Sequence, residues 1–197
     1  MSRASDLAGL VSARLCHDLI SPIGAISNGV ELLTLSQSFS SESQLIADSV
    51  DTAKNRVKFF RLAFGLAPVE GMAEVAELAR LAPAQLNHRV TVKWPEAPEP
   101  LSRRHAQGVL LGLMCLERCL PRGGQIAVSL GKGWADLTAT GPRVEGDGAG
   151  WAALDGVQVR HGDVQFAYLA ALCDEGAFAL TRSEGADQVT LQLTFPP

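Results

Sequence analysis

Long apolar runs are missing from this 197-residue chain. The stretch from Val109 to Leu116, the longest in its second half, is broken by Gly112. It falls well short of the ~20 residues that a membrane-spanning helix needs. The N-terminal MSRASDLAGLVSARLCHDLI carries Asp6, Arg14, His17 and Asp18 where a secretion signal needs an apolar centre. A basic excess is lacking too: 17 Lys+Arg stand against 21 Asp+Glu, a formal charge of -4. Such a surface provides no field for nucleic acid or anionic lipid. Cysteine is scarce, and Cys16, Cys115, Cys119 and Cys173 form no CxxC pair. Cys115 and Cys119 lie four apart in an apolar helical run and read as buried free thiols, which suits a reducing cytoplasm.

What is present is an ordinary globular composition, 47% hydrophobic and 19% charged. That argues against disorder, and at about 150 residues per domain the length admits one domain or two small ones. Two periods divide the chain. Leu7, Val11, Leu15, Leu19, Ile23, Ile26, Val30 and Leu33 recur at steps of three and four, the stripe of one long helix. LSQSFSSES interrupts it, with Ser40 or Ser41 available as an N-cap and Glu42 in the first turn. A second helix follows with Ile46, Val50, Ala53, Val57, Phe60 and Phe64 in a heptad-like seam, stopped by Gly65 and Pro68. A lone hairpin cannot bury two such seams. A four-helix bundle assembled from two copies is the economical expectation, a homodimer about a twofold axis.

From Gly71 the pattern is mixed. It predicts a helix over 72–82, a strand over 90–94, and a loop at PEAPEP. A helix over 103–120 and strands over 125–130 and 134–140 come next, the strands joined by a tight turn at Gly131–Gly133. GPRVEGDGAG reads as loop, followed by a helix over 163–175 and strands over 177–182 and 188–195. The order αβαββαββ describes a layered unit with a mixed sheet. The expected class is α+β: residues 1–68 as a helical hairpin for dimerisation, and residues 69–197 as an α/β sandwich.

At about 100° per residue, His17 lies roughly 160° from both Leu15 and Leu19 and so points out of the bundle if they point in. Ala13, Arg14, Ile20, Ser21, Gly24 and Asn28 share its face within about 60°. Two residues here disfavour a helix. Pro22 lacks an N–H and frees the carbonyl of Asp18, at around 3 kcal/mol in a regular interior. Gly24 costs about 1 kcal/mol more. Violations of this kind gather at functional sites. A neutral imidazole is a good nucleophile toward phosphorus and forms a labile phosphoramidate.

The string Leu15-Cys16-His17-Asp18-Leu19-Ile20-Ser21-Pro22-Ile23-Gly24-Ala25-Ile26 resembles the phosphoacceptor box of two-component histidine kinases. There a histidine precedes Asp or Glu, a leucine, and a proline five positions on. From HDLISPIGAISNGVELL to KFFRLAFG the chain resembles the ChpT-like histidine phosphotransferases, dimeric relay proteins built like a kinase that has lost its kinase function. The second region is similar to the ATP-binding (GHKL) domain of those kinases.

The resemblance implies that His17 carries phosphate between receiver-domain aspartates. The donor would be the receiver of a hybrid histidine kinase and the acceptors would be response regulators. Mg²⁺ would come with the receiver, and this chain would bind no cofactor, metal, nucleic acid or membrane. Asp18 would orient or polarise the imidazole, or else be a plain surface charge. Ser21 would bond phosphate or attacking water, or stabilise the proline kink. Arg14 would favour an incoming phosphate or acidic partner, or be merely solvated. Ile20, Gly24 and Asn28 complete the docking face. Counting back along the second helix brings Phe59, Phe60, Arg61 and Phe64 level with His17. Of these, Phe60 and Phe64 either fill the seam or anchor a docking helix, and Arg61 is the preferred polar contact.

In the kinase-like region Cys115 stands where the kinases have a magnesium-holding asparagine, with Glu117 two residues away. Thr138-Ala139-Thr140-Gly141-Pro142 offers no carboxylate where an Asp-x-Gly pattern would fall. GDGAG at 146–150 lacks a strand-to-helix context. A thiol is a poor ligand for the hard Mg²⁺ ion, so the expectation is a degenerate domain that does not hydrolyse ATP. His88, His105 and His161 show no ligand spacing and read as surface or loop residues. Two rival readings remain: an active kinase core with an atypical ATP site, and a non-catalytic dimeric scaffold or anti-sigma-like binder.

Overall fold

Two long helices open the chain, as their periodicity requires. In the computed structural model α1 runs Arg3–Leu35 and α2 runs Ser40–Ala63. The structure describes residues 3–35, 40–65, 71–96, 99–146, 148–158 and 160–196, with no account of the side chains at 3–6, 8–10, 12, 13, 16, 34, 35, 40–42 and 149. The capping expectation at Ser40–Glu42 therefore lies outside the described side chains. Leu15, Leu19, Ile26 and Leu33 of α1 are half-buried, as are Ile46, Val50 and Ala53 of α2. Ile23 at 54% and Val57 at 50% stay exposed on the single chain, so the hairpin does not bury its own seams.

The distal end of α2 enters the core of the second region. Phe59, Phe60 and Ala63 are buried in the same cluster as α4 (Arg103–Glu117). Helix ends leave carbonyls without partners, and here neighbouring helices supply them. The Gln107 amide of α4 donates to Ala63 O at 3.2 Å and to Gly65 O at 2.9 Å. The Tyr168 hydroxyl of α5 (Val164–Asp174) donates to Phe64 O at 3.1 Å.

Five strands form the main sheet in the order β2-β4-β5-β7-β6. They are β2 (Val90–Lys93), β4 (Gly124–Gly131), β5 (Trp134–Thr140), β6 (Ala179–Glu184) and β7 (Gln188–Thr194). β2 pairs parallel with β4, and the other ladders are antiparallel. Ile126, Val128, Ala135, Leu137, Ala139, Val189, Leu191 and Leu193 alternate inward to the core, as a sheet with one covered face demands. Helix α4 is buried from Ala106 to Leu116, which explains why it is apolar all round. Cys115 and Cys119 are buried free thiols within and just beyond it. Lys132 and Gly133 make the β4–β5 turn, Gly133 at φ +79°, where a side chain is disfavoured.

The α+β class and the element order stand, with displaced edges. The helix expected from residue 72 is α3, Val75–Gln85. It starts late because Met72–Ala73 (β1) pairs with Leu101–Ser102 (β3) in a two-stranded ladder. Strands of two residues are too short to show a period. Short 3-10 turns occupy Ala149–Asp155, at the end of the expected loop, and His161–Asp163, just before α5.

Gln107 is 1% exposed and serves both carbonyls at the end of α2. Removing it strands buried acceptors at about 1–3 kcal/mol. Gln107→Ala should lower the thermal midpoint by roughly 2–12 °C in calorimetry. A midpoint equal to the parent's would refute this closure of α2.

Candidate functional site

Consecutive helical residues differ by about 100°, so His17 and Asp18 cannot face the same way. The His17 side chain is 71% exposed and that of Asp18 only 10%. Ile20, Ser21, Gly24 and Asn28 are exposed on the same face as His17. Beside Gly24 there is open space, with nothing within 4 Å of where a Cβ would stand. The face around the imidazole is therefore low and accessible.

Asp18 turns inward, where a carboxylate needs partners. Its Oδ2 accepts from Arg14 Nε at 2.6 Å and from Gln85 Nε2 of α3 at 3.0 Å, while its Oδ1 lies 3.0 Å from His17 Nδ1. Burial pushes the carboxyl's pKa up, but the hydrogen bonds from His17, Arg14 and Gln85 together outweigh it and hold the group below its ordinary value of 3.8. Asp18 is thus ionised near neutrality and can only accept. His17 Nδ1 must then be the donor, which leaves the Nε2 lone pair of the neutral ring free for a partner.

Pro22 is buried inside α1 and withholds the N–H that Asp18 O would otherwise accept. Arg56 of α2 replaces it: Nη1 donates to Asp18 O, and Nε donates to Ala84 O in the last turn of α3 at 2.8 Å. One guanidinium thereby joins the proline kink, the hairpin and the α/β layer. From the other side, Arg14 Nη1 donates to Gly162 O at 2.7 Å. This brings the 3-10 turn before α5 onto α1, where the His161 ring lies 5.7 Å from that of His17.

Several expectations need correction. Arg14 is not solvated; its largely buried guanidinium is committed to Asp18 and Gly162 and is not free for a visiting phosphate. Phe60 is 3% exposed and packs in this chain's own core, so it cannot anchor a docking helix. Phe64 is half-buried and edge-on to Tyr168 at 5.4 Å. Arg61 is exposed, but the α2 arginine that reaches the segment around His17 is Arg56, a turn earlier. Asp18 is no plain surface charge. Gln85, Arg56 and His161 were missed. Only Arg56 left a trace in the sequence, in the orphaned carbonyl that Pro22 creates.

Around Cys115 and the glycine runs near Gly141 and Gly150, the described residues are buried or already partnered at several positions. Cys115 is fully buried, and burial pushes its thiol pKa well up. Glu117 is also raised by burial, and its Oε1 accepts from Asn87 N at 2.6 Å. A Cβ on Gly141 would stand 2.7 Å from Gly123 O, and one on Gly150 2.5 Å from the Phe166 ring, so those two glycines are packed against protein, while Gly148 has open space beside it. Among the described residues, no group of three or more His, Cys, Asp or Glu side chains is arranged to hold a metal.

Because the folded Asp18 carboxyl lies below 3.8, its charge-linked stabilisation is present above that value and fades as pH falls through the lower folded value. Asp18→Asn should cost roughly 1.5–3 kcal/mol near neutrality, the worth of hydrogen bonds to a charged group. Its deficit should shrink once the wild-type carboxyl protonates, below about pH 4. Urea unfolding at neutral and acidic pH measures the gap; a constant or widening gap would contradict the ion-pair account.

The family described as histidine phosphotransferase C-terminal domain matches residues 72–188. The chain is 35% identical over 129 residues to the protein phosphotransferase ChpT of Brucella abortus (strain 2308), a match spanning 64% of this chain and 62% of that relative. A solved structure of a bacterial phosphotransferase superposes with a TM-score of 0.79 at 27% identity, covering 98% of each chain. On the extent of the family match, this chain belongs to the histidine phosphotransferase family.

Proposed function

We propose that this protein is a phosphorelay histidine phosphotransferase in which His17 accepts a phosphoryl group from one receiver-domain aspartate and passes it to another. The observation that carries the reading is an exposed imidazole whose Nδ1 is held on a buried, ionised carboxylate. In the first half-reaction the Nε2 lone pair attacks the phosphorus of an aspartyl phosphate in line. The P–O bond to the receiver breaks, the receiver carboxylate leaves, and the Nδ1 proton stays on the side of Asp18. The second half-reaction reverses these bonds on a different aspartate. Such transfers need chiefly positioning and charge neutralisation. Mg²⁺ arrives with the receiver. Asp18 fixes the ring, and Arg14 and Gln85 fix Asp18.

Ile20, Ser21, Gly24 and Asn28 form the docking surface around the nucleophile, with Arg61 exposed on the neighbouring helix. Ser21, one turn on, is available to bond the phosphoryl oxygens. The donor is the receiver of a hybrid histidine kinase, and response regulators are the acceptors. Residues 1–68 form the dimerisation and phosphoacceptor region and residues 69–197 its degenerate kinase-like companion, which binds no cofactor. The homodimer follows from apolar residues left uncovered on the hairpin, among them Ile23, Val30, Leu45 and Val57. Pairing two hairpins buries them in a four-helix bundle. No helix among the described residues is long and apolar enough to cross a membrane. The proposed location is the cytoplasm, where the buried thiols stay reduced.

His17→Ala should take no phosphate from a labelled phosphoreceiver while remaining dimeric in sedimentation. Transfer to that variant would refute the assignment, and self-labelling of the wild type with ATP alone would favour an active kinase core instead. The double substitution Val30→Asp with Val57→Asp should yield monomers; an unchanged dimer would place the interface elsewhere.

A further inference from the structure

His161 stands beside the acceptor in a turn that is fixed from two directions. Arg14 of α1 donates to Gly162 O at 2.7 Å, and Arg118, just past α4, pairs with Asp163 at 3.0 Å. At Gly162 the tip is open, since a Cβ there would meet nothing within 4 Å. Polar ties place this turn. The guanidinium that steadies Asp18, and through it His17, is the one that holds the peptide next to His161. Both imidazoles are thus set by Arg14. They are exposed, 5.7 Å apart between ring centroids and tilted by 49°. Rings in stacked contact would lie closer.

We propose that His161 binds the phosphoryl group carried by His17, donating a ring N–H to one of its oxygens. A phosphoryl group on His17 Nε2 would extend two bonds beyond a ring whose centroid lies 5.7 Å from that of His161. A charge-assisted N–H···O bond there needs about 2.7–2.9 Å. Imidazole offers at least one N–H donor in either protonation state. The two arginines that tie this turn are already committed, Arg14 to Asp18 and Gly162, and Arg118 to Asp163, while exposed Arg160 stands at its N-terminal end. His161, whose ring stands beside that of His17, is the donor placed to bond oxygens of the transferred group, the role that fixed donors play in phosphoryl transfer.

The proposal rests on His17 being the phosphoacceptor, and the test separates the two claims. The full chain is incubated with potassium phosphoramidate, a small phosphodonor that needs no protein partner. Its P–N bond breaks, ammonia leaves with a proton, and the new bond forms from phosphorus to Nε2. Loading is followed by ³¹P NMR as the phosphohistidine resonance absent from His17→Ala. His161→Ala, at an exposed position, should keep the parent's thermal midpoint, load His17 about tenfold more slowly and shift its resonance. His161→Gln, which restores an N–H donor, should recover most of the rate. Wild-type loading in the alanine variant would overturn the proposal, as would a glutamine variant no better than alanine. A wild type that loads no more than His17→Ala would instead overturn the phosphoacceptor assignment, and this proposal with it.

Discussion

A buried negative charge must be met by donors, and Asp18 draws its donors from separate parts of the chain. Arg14 comes from four residues back on α1, Gln85 from the end of α3, and His17 from the adjacent position. Breaking such a cluster at one partner leaves a desolvated charge, which is far more costly than never having buried it. The carboxylate is therefore a joint between the helical hairpin and the α/β layer. The His17 ring is fastened to that joint.

Pro22 makes a second joint of the same kind. By removing one N–H from the interior of α1 it creates an acceptor that only another element can satisfy, and Arg56 answers while also meeting Ala84 O. What would be a defect in an isolated helix becomes a point of attachment. The two joints lie on the inward side of α1, which leaves the outward side to His17, Ile20, Ser21, Gly24 and Asn28. Rigid support beneath and low relief above are what a nucleophile needs when its substrate is a group on another protein.

Elements with a sustained period could be read from the sequence directly. Both hairpin helices, the order of elements along the chain and the exposure of His17 follow from the spacing of apolar residues and from helical geometry. The residues that failed did so for one reason. A helical wheel places Arg14 beside His17 but does not show Gly162, which comes from 148 positions away and claims its guanidinium. Phe60 belongs to a seam by its spacing, yet the layer that buries it begins only after residue 71. Gln85 pairs with Asp18 across 67 positions and has no local signature. β1 and β3 are shorter than any detectable repeat. Pro22 was the exception, because an unpartnered carbonyl can be inferred from the sequence even when its donor cannot.

The central claim is that Asp18 holds His17 with its proton on Nδ1 and its lone pair on Nε2. Long-range ¹H–¹⁵N NMR of the unphosphorylated protein at neutral pH reads that tautomer directly. The account predicts a His17 pattern with Nδ1 protonated and Nε2 bare, which turns into a mixture in Asp18→Ala. A ring already protonated at Nε2 in the wild type, or one unaffected by loss of the carboxylate, would contradict it.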